Sequence, residues 1–395
     1  MATFPGMPEG FDPDAFADTP LFREIQRVLS SSSGPVNWEL ARQVGIAGAQ
    51  DGNEDPAPSD VDRHDVEEAA RVAELHVARF TGLEPPLDVP IVRPVRRAEW
   101  VGAAIETLAE LIEPAAARAG GAMEQLAQAS AADLQEGAAG FGGGAVLGQL
   151  APLLMGAQVG SVLGYLGQRA FGQFDVPVPR SGAGSLLFVT DTIGAFSRDW
   201  SLDPTEFRTA VALHEVAHRF EFSRPWALGR FRELLEDFLS TLQLDVQALR
   251  DRIEHLDAAD PEAMQQLMEG EEGMFGAVLD DEQRIKLARI QSFMAASEGW
   301  ADHVASALGA ELLPTHTKIE EAVRRHREAD AADPVFERLL GVEMPRDRYV
   351  AGRAFADRVA EIADEATLAR MWQDADSLPS APEIDEPTLW LTRIV

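Results

Sequence analysis

Along this chain apolar positions recur at intervals of three and four far more often than at intervals of two, which is the period of a helix rather than a strand. The clearest case is Phe207–Phe222, FRTAVALHEVAHRFEF, where Phe207, Val211, His214, His218 and Phe222 fall on one stripe spaced 4, 3, 4 and 4. Its limits are written locally. Asp203 can cap it, Pro204 suits the first helical position, Glu206 sits where a capping box needs an acid, and Pro225 stops it. Helical periods also mark LFREIQRVLSSS, NWELARQVGIA, Val61–Thr81, the stretch from about Ala98 to Ala132 (interrupted near Pro114), FRELLEDFLSTLQLDVQALRDRIEHL, Asp281 to Leu308, and most of the chain after Pro314. Only SLLFVT, Ser185–Thr190, reads clearly as a strand, bounded by SGAG and DTIG. The expected fold is therefore mainly α, a multi-helix domain with a small β element at 185–190.

One segment breaks the amphipathic pattern. Gly137 to Gln168 carries no charge, and AVLGQLAPLLMGAQVGSVLGYL is long enough to cross a bilayer. Gln149, Pro152 and Gln158 interrupt it, however, and Gly140, Gly144, Gly148 and then Gly156, Gly160, Gly164 repeat every four residues. Small residues at that spacing let helices approach closely. The expectation is a buried Gly-rich helical hairpin broken near Pro152, with no membrane span. No strand leads into these glycines and no Gly-Lys-Ser/Thr follows, so they are not a phosphate loop. Residues 1–60 read as a loose segment with short helices, ending in the acidic linker Ala49–Asp60. Residues 61–395 read as a single large domain, with a subdomain break placed near 174–185.

Composition narrows the function classes. With 46% hydrophobic residues the chain can bury a sizeable core, and a formal net charge of −32 disfavours nucleic acid and anionic headgroups as partners. There is no cysteine, so a metal would have to be held by histidine and carboxylate. The start, MATFPGMPEGFDPDAF, has neither a basic n-region nor an apolar h-region, and a cytoplasmic location is expected.

The chemistry lies on the opening stripe. His214 and His218, four apart, project both imidazoles from one helical face about a turn apart, which suits two nitrogen ligands on one small cation. Glu215 falls beside such an ion rather than on it, placed to take a proton from activated water; this is H-E-x-x-H. A catalytic zinc takes a third protein ligand and leaves the fourth position open. MAASEGWADHV offers one: Leu287, Met294, Glu298, Asp302 and Ala305 share a stripe, so Glu298 and Asp302 face inward together and need partners. A metal satisfies Glu298, and Asp302 then accepts the free N–H of an imidazole, His214 being the expected one. For a developing oxyanion two donors are in view, His303 just off the ligand stripe and Tyr349 in RDRYVAGRAFADRV. His303 also reads as a rim residue and Tyr349 as a helix-start aromatic.

The Glu-x-x-x-Asp pair behind H-E-x-x-H resembles the gluzincin metallopeptidases. More broadly, GPVNWELARQV, GQRAFGQFDVPVP leading to SLLFV, FRTAVALHEVAHRFEFSRPW, SEGWADHV, RYVAGRAF and LPSAPEIDEPTLWLTRI, in that order, resemble an actinobacterial zincin-like family of hydrolases. One branch of that family is linked by name to deazaflavin-coenzyme biosynthesis. The resemblance implies zinc held by His214, His218 and Glu298, Glu215 as catalytic acid and base, and a mostly helical fold, without naming a substrate. The expected activity is a cytoplasmic zinc metallopeptidase acting on a peptide or small amide. The rival expectation is a non-catalytic protein in which the ion staples two helices of a binding or scaffold module.

Overall fold

In the computed structural model of the chain, residues 36–113, 143–175, 178–179, 185–241, 281–330 and 346–394 are described. The helix LFREIQRVLSSS, residues 114–132, the end of the RDRIEHL run and most of the break placed at 174–185 lie outside them. The order is α1 (Trp38–Gln50), α2 (Asp60–Thr81), β1 (Ile91–Val95), α3 (97–113), α4 (Gly143–Arg169), β2 (Ser185–Val189), α5 (Thr190–Asp199), α6 (Pro204–Phe222) and α7 (Ala227–Thr241). Then follow α8 (Asp281–Leu312), α9 (His316–Asp330), α10 (Arg346–Ile362), α11 (Glu365–Ala369), α12 (Ala381–Asp385) and α13 (Pro387–Ile394). The mainly helical fold with a small β element is what the period implied. The strand signal missed a partner: β1 pairs β2 in parallel, Ile91 opposite Ser185 through Val95 opposite Val189. In β1 the proline at 94 and the exposed Ile91 and Arg93 blunt the alternation that a strand search relies on.

The Gly-rich segment is not a hairpin over its described part. Residues 143–169 form one helix that runs through Pro152, and its close partner is α1 rather than a second half of itself. A β-carbon on Gly156 or Gly160 would run into the backbone carbonyls of Asn37 and Ala41, and Gly164 lies against Gly48. The four-residue glycine repeat thus removes side chains where α1 crosses. Proline costs an internal helix one ladder hydrogen bond. Here the carbonyl of Pro152 accepts the Asn37 N–H at 2.8 Å, so the helix is held from outside at that turn. Among the described residues no helix is long and apolar enough to cross a membrane.

The expected boundary near residue 60 does not separate a loose segment from the fold over residues 36–60. Ala41, Gly45 and Ala49 of α1 are buried. In the acidic linker, Asp55 accepts the backbone N–H groups of Arg97 and Ala98, both at 3.0 Å, and so caps the start of α3.

Two contacts fix the helices that matter for chemistry. Asp203 Oδ1 caps α6 by accepting from Thr205 and Glu206 N–H at 2.9 and 3.0 Å, which contributes about 1 kcal/mol. The side chain of Glu206 does not close a capping box. It accepts the N–H and hydroxyl of Thr315 at 2.8 and 2.6 Å, tying the turn before α9 to the start of α6. The central helix is α8, buried without interruption from Ser292 to Ala301. α10 crosses it where neither helix has a side chain to spare: a β-carbon on Gly299 would meet the backbone of Gly352, and one on Gly352 the carbonyl of Ala295.

Candidate metal centre

α6 and α8 meet along the stripe that carries the histidines. The rings of His214 and His218 have centroids 4.6 Å apart and are nearly perpendicular. Glu298 reaches across from α8, with Oε1 3.2 Å from His218 Nε2 and Oε2 3.8 Å from His214 Nε2. One ligand atom from each of the three lies within 4.8 Å of the others. Donors bound tetrahedrally at about 2.0–2.1 Å sit roughly 3.3 Å from one another, so this set closes around a zinc-sized ion with small adjustments. A second observation fits the same group: His218 Nε2 is buried and makes no hydrogen bond in the structure. A lone pair on Nε2, buried beside a carboxylate, is what a cation would use.

The orientation of His218 is fixed on all sides. Its Nδ1 meets Glu221 Oε1, one turn along the same helix, and Ser297 of α8 donates to that oxygen at 2.9 Å. Phe222 stacks on the ring at 5.6 Å and Phe174 tilts against it at 5.4 Å. Burial works to lower the His218 pKa, but the charges of Glu221 and Glu298 outweigh it and hold the group well above its ordinary value. The same two carboxylates would favour a metal cation at Nε2.

Asp302 stands with His214, as expected, but through a different nitrogen. Its Oδ1 lies 3.2 Å from Nε2, the atom that also faces Glu298, rather than behind the ring at Nδ1. The reason is Arg327. From α9 its Nη1 donates to Asp302 Oδ2 at 2.6 Å, drawing the carboxylate to the front of the imidazole, while Nη2 lies 3.4 Å from His214 Nε2. Against burial, Arg327 and His214 hold Asp302 well below the usual carboxylate range. Glu298 is also held low despite burial, by His218, His214 and Arg327.

Glu215 is buried and lies outside the trio of ligand atoms, one residue round the helix from His214. Its carboxylate sits in a turn built by Phe171–Asp175. Phe174 N–H donates to Oε2 at 2.9 Å, and Gly172 packs so tightly against the group that a β-carbon would stand under 3.0 Å from Glu215 Cδ. Asp175 holds the turn by accepting from the N–H groups of Phe171 and Gly172 at 2.8 and 2.6 Å. The turn is in turn hung on β2 and α3, with Val189 N–H donating to Phe171 O and Trp100 Nε1 donating to Gly172 O.

The two oxyanion candidates part company. Tyr349 lies on α10 within reach of the charges of Glu298 and Arg327: burial and the charge of Glu298 push its pKa up, with Arg327 opposing, so its hydroxyl keeps its proton and remains a donor. The glycine crossing of α8 and α10 brings their stretches of chain together, Tyr349 lying one turn before Gly352 and Glu298 directly before Gly299. His303 does not join the cluster. It is buried between Asp357, 2.6 Å from Nδ1, and Glu365, 3.0 Å from Nε2. With both nitrogens committed, it has no donor left for an oxyanion and no lone pair for a metal. Burial lowers its pKa, yet the two carboxylates push it up to about 9.

Sequence reasoning passed over Glu221, Arg327 and the Gly172–Asp175 turn. Glu221 carried a readable signal, an acid three residues after His218 and flanked by Phe220 and Phe222. Arg327 carried none, as one of three arginines in RRHR.

Comparison with known proteins returns a consistent picture. The profile of a family described as zincin-like metallopeptidase matches residues 36–391. A crystal structure from Chloroflexus aurantiacus, described as a candidate hydrolase with a novel fold, superposes with a TM-score of 0.61 at 27% identity, covering 91% of this chain and 98% of that one. No curated protein sequence matches the chain.

Proposed function

The chain belongs to the zincin-like metallopeptidase family, and from that membership we propose that it is a zinc-dependent hydrolase of peptide or small amide bonds. The observation that carries the reading is the convergence of His214, His218 and Glu298 from two helices, with the buried Nε2 of His218 facing the Glu298 carboxylate and Glu215 one residue from His214. A divalent ion held by those three would supply a Lewis acid for the scissile carbonyl and lower the pKa of water.

The rest of the chemistry falls to the chain's own groups. Glu215, fixed by Phe174 N–H, takes the proton of the attacking water and passes it to the leaving amine. Tyr349 offers its hydroxyl to the oxyanion. Glu221 and Ser297 hold His218 in the tautomer that presents Nε2 forward. The link to deazaflavin-coenzyme biosynthesis rests on resemblance of sequence blocks and adds no substrate. The test is Glu215→Gln. Zinc content is expected to match the wild type while hydrolysis of a quenched-fluorescent peptide library disappears; an undiminished rate rejects the mechanism.

One observation favours a second reading. Asp302 stands 3.2 Å from the same His214 nitrogen that faces Glu298, close enough to serve as a fourth protein ligand and close the site. The ion would then staple α6 to α8 in a non-catalytic module. Zinc-edge anomalous density separates the two, showing either a water or Asp302 in the fourth position.

A further inference from the structure

Arg327 is engaged at the edge of the metal centre without being consumed by it. Among the described residues its contacts are Nη1 to Asp302 Oδ2 at 2.6 Å and Nη2 beside His214 Nε2 at 3.4 Å. A guanidinium carries five N–H donors, and these contacts use one on each terminal nitrogen. The side chain as a whole is 47% exposed, although its charged end sits among the acids of the centre. Its position is built rather than incidental. Glu206 ties the turn before α9 to the start of α6, and Asp302 clamps the guanidinium from α8. The charges of Asp302, Glu298 and Asp175 all bear on it.

A fixed guanidinium on a half-exposed side chain, next to a metal-ligand nitrogen, calls for an anionic group in the substrate, and in an amide that group is a carboxylate. Its planar donor pair matches a carboxylate, which a lysine ammonium would meet only as a point charge. In a peptide cut at its last bond, the free α-carboxylate carbon lies two bonds from the amide nitrogen. Carbonyl and carboxylate are then close enough to be held by neighbouring groups of one small site.

We propose, resting on the hydrolase reading above, that Arg327 is the carboxylate-binding residue of this centre. The substrate class is an amide whose leaving-group side ends in a free carboxylate, as at the C-terminal residue of a peptide. Water oxygen bonds to the carbonyl carbon and the C–N bond breaks. The water proton passes through Glu215 to the amine, and the products are a free amino acid and a shortened acyl chain ending in a carboxylate. The net charge of −32 opposes the approach of any anion at long range. Beyond about 8 Å that field is screened at physiological ionic strength, whereas the guanidinium contact is not.

The experiment uses the full-length zinc-loaded protein and a mixed set of N-acetyl dipeptides, each as the free acid and as the C-terminal amide. Binding is measured by isothermal titration, and cleavage by product analysis, for the wild type, Arg327→Gln and Arg327→Lys. Zinc content and circular dichroism serve as the folding check. The wild type is expected to bind acids at least about 10-fold more tightly than amides, the scale of one charge-assisted pair. That ratio should fall to near one in Arg327→Gln and to an intermediate value in Arg327→Lys, which also keeps the test open if the glutamine variant does not fold. Equal or undetectable binding of acid and amide by the wild type overturns the proposal, as does a full acid preference in Arg327→Gln. Acids bound with an Arg327-dependent preference but never cut would leave the carboxylate site standing and remove the hydrolase reading instead.

Discussion

Glu221 lies against Nδ1 of His218 from one turn further along α6, and Ser297 of α8 donates to the same carboxylate oxygen at 2.9 Å. Carboxylates in that position fix a ligating imidazole and raise its basicity, and their loss typically weakens metal binding 10- to 100-fold. Glu221→Ala is therefore expected to lower zinc affinity within that range, and Glu221→Gln by less, because the amide oxygen can still accept. Competition against a chromophoric chelator measures both. An affinity equal to the wild type would show that Glu221 only fills space.

Gly172 is the wall behind Glu215. A β-carbon there meets the Glu215 carboxylate, and the backbone that would have to retreat is bridged to Phe188 of β2 and bonded to Trp100. Gly172→Ala should leave the three ligands in place while turning Glu215 out of its turn. We expect normal zinc content, a hydrolytic rate reduced at least about 10-fold, and a stability loss of about 1–3 kcal/mol, the usual range for overpacking. Urea unfolding and a rate assay on one preparation check both. A variant as active as the wild type would mean that the turn does not position Glu215.

The crossing of α8 and α10 predicts a coupled effect. A methyl group at Gly352 meets the backbone of Ala295, so the two helices must part. Tyr349 is then drawn from the neighbourhood of Glu298. Gly352→Ala is expected to cost more than about 2 kcal/mol, because backbone rather than a flexible side chain must move, and to mimic Tyr349→Phe in its effect on rate. Thermal unfolding and hydrolytic rate of the single and double variants are the measurements. Additive effects on rate would show that Tyr349 does not depend on the crossing.

How much of this was written in the sequence differs from element to element. The start of α6, its ligand stripe and the convergence with Glu298 were legible because each depends on local signals: a cap, a first-turn proline, a period of 3.6 and an inward carboxylate with no apolar excuse. The expected break at Pro152 does not occur: α1 docks on the helix at that turn, with Asn37 N–H on the Pro152 carbonyl and the glycines beyond it against the α1 backbone. Glu206 fitted a capping box by spacing, yet Thr315, 109 residues away, claimed its side chain. His303, one residue past Asp302 and just off the ligand stripe, was in view as an oxyanion donor as well as a rim residue. One step round a helix is about 100°, and that turn carries it toward Asp357 and Glu365 instead. Arg327 and the Gly172–Asp175 turn are products of tertiary packing, and no spacing rule points to them.

His303 gives a prediction about pH. Its folded-state pKa is raised to about 9 from an ordinary 6.5, with Asp357 and Glu365 outweighing burial. A group raised on folding contributes stability that is fully present below its unfolded pKa and is lost as pH climbs through the folded one, so the window runs from about 6.5 to about 9. The full shift corresponds to on the order of 3 kcal/mol. Other ionisable groups add their own slopes to the stability curve, so the informative quantity is a difference. Urea unfolding of the wild type and of His303→Gln should be compared at pH 6 and pH 9.5, both in chelator so that zinc binding does not add its own slope. The gap between the two proteins is expected to be wide at pH 6 and to close by pH 9.5. A gap that stays constant across the range would mean that His303 is neutral between its carboxylates and holds α8 to α10 and α11 by packing and neutral hydrogen bonds alone.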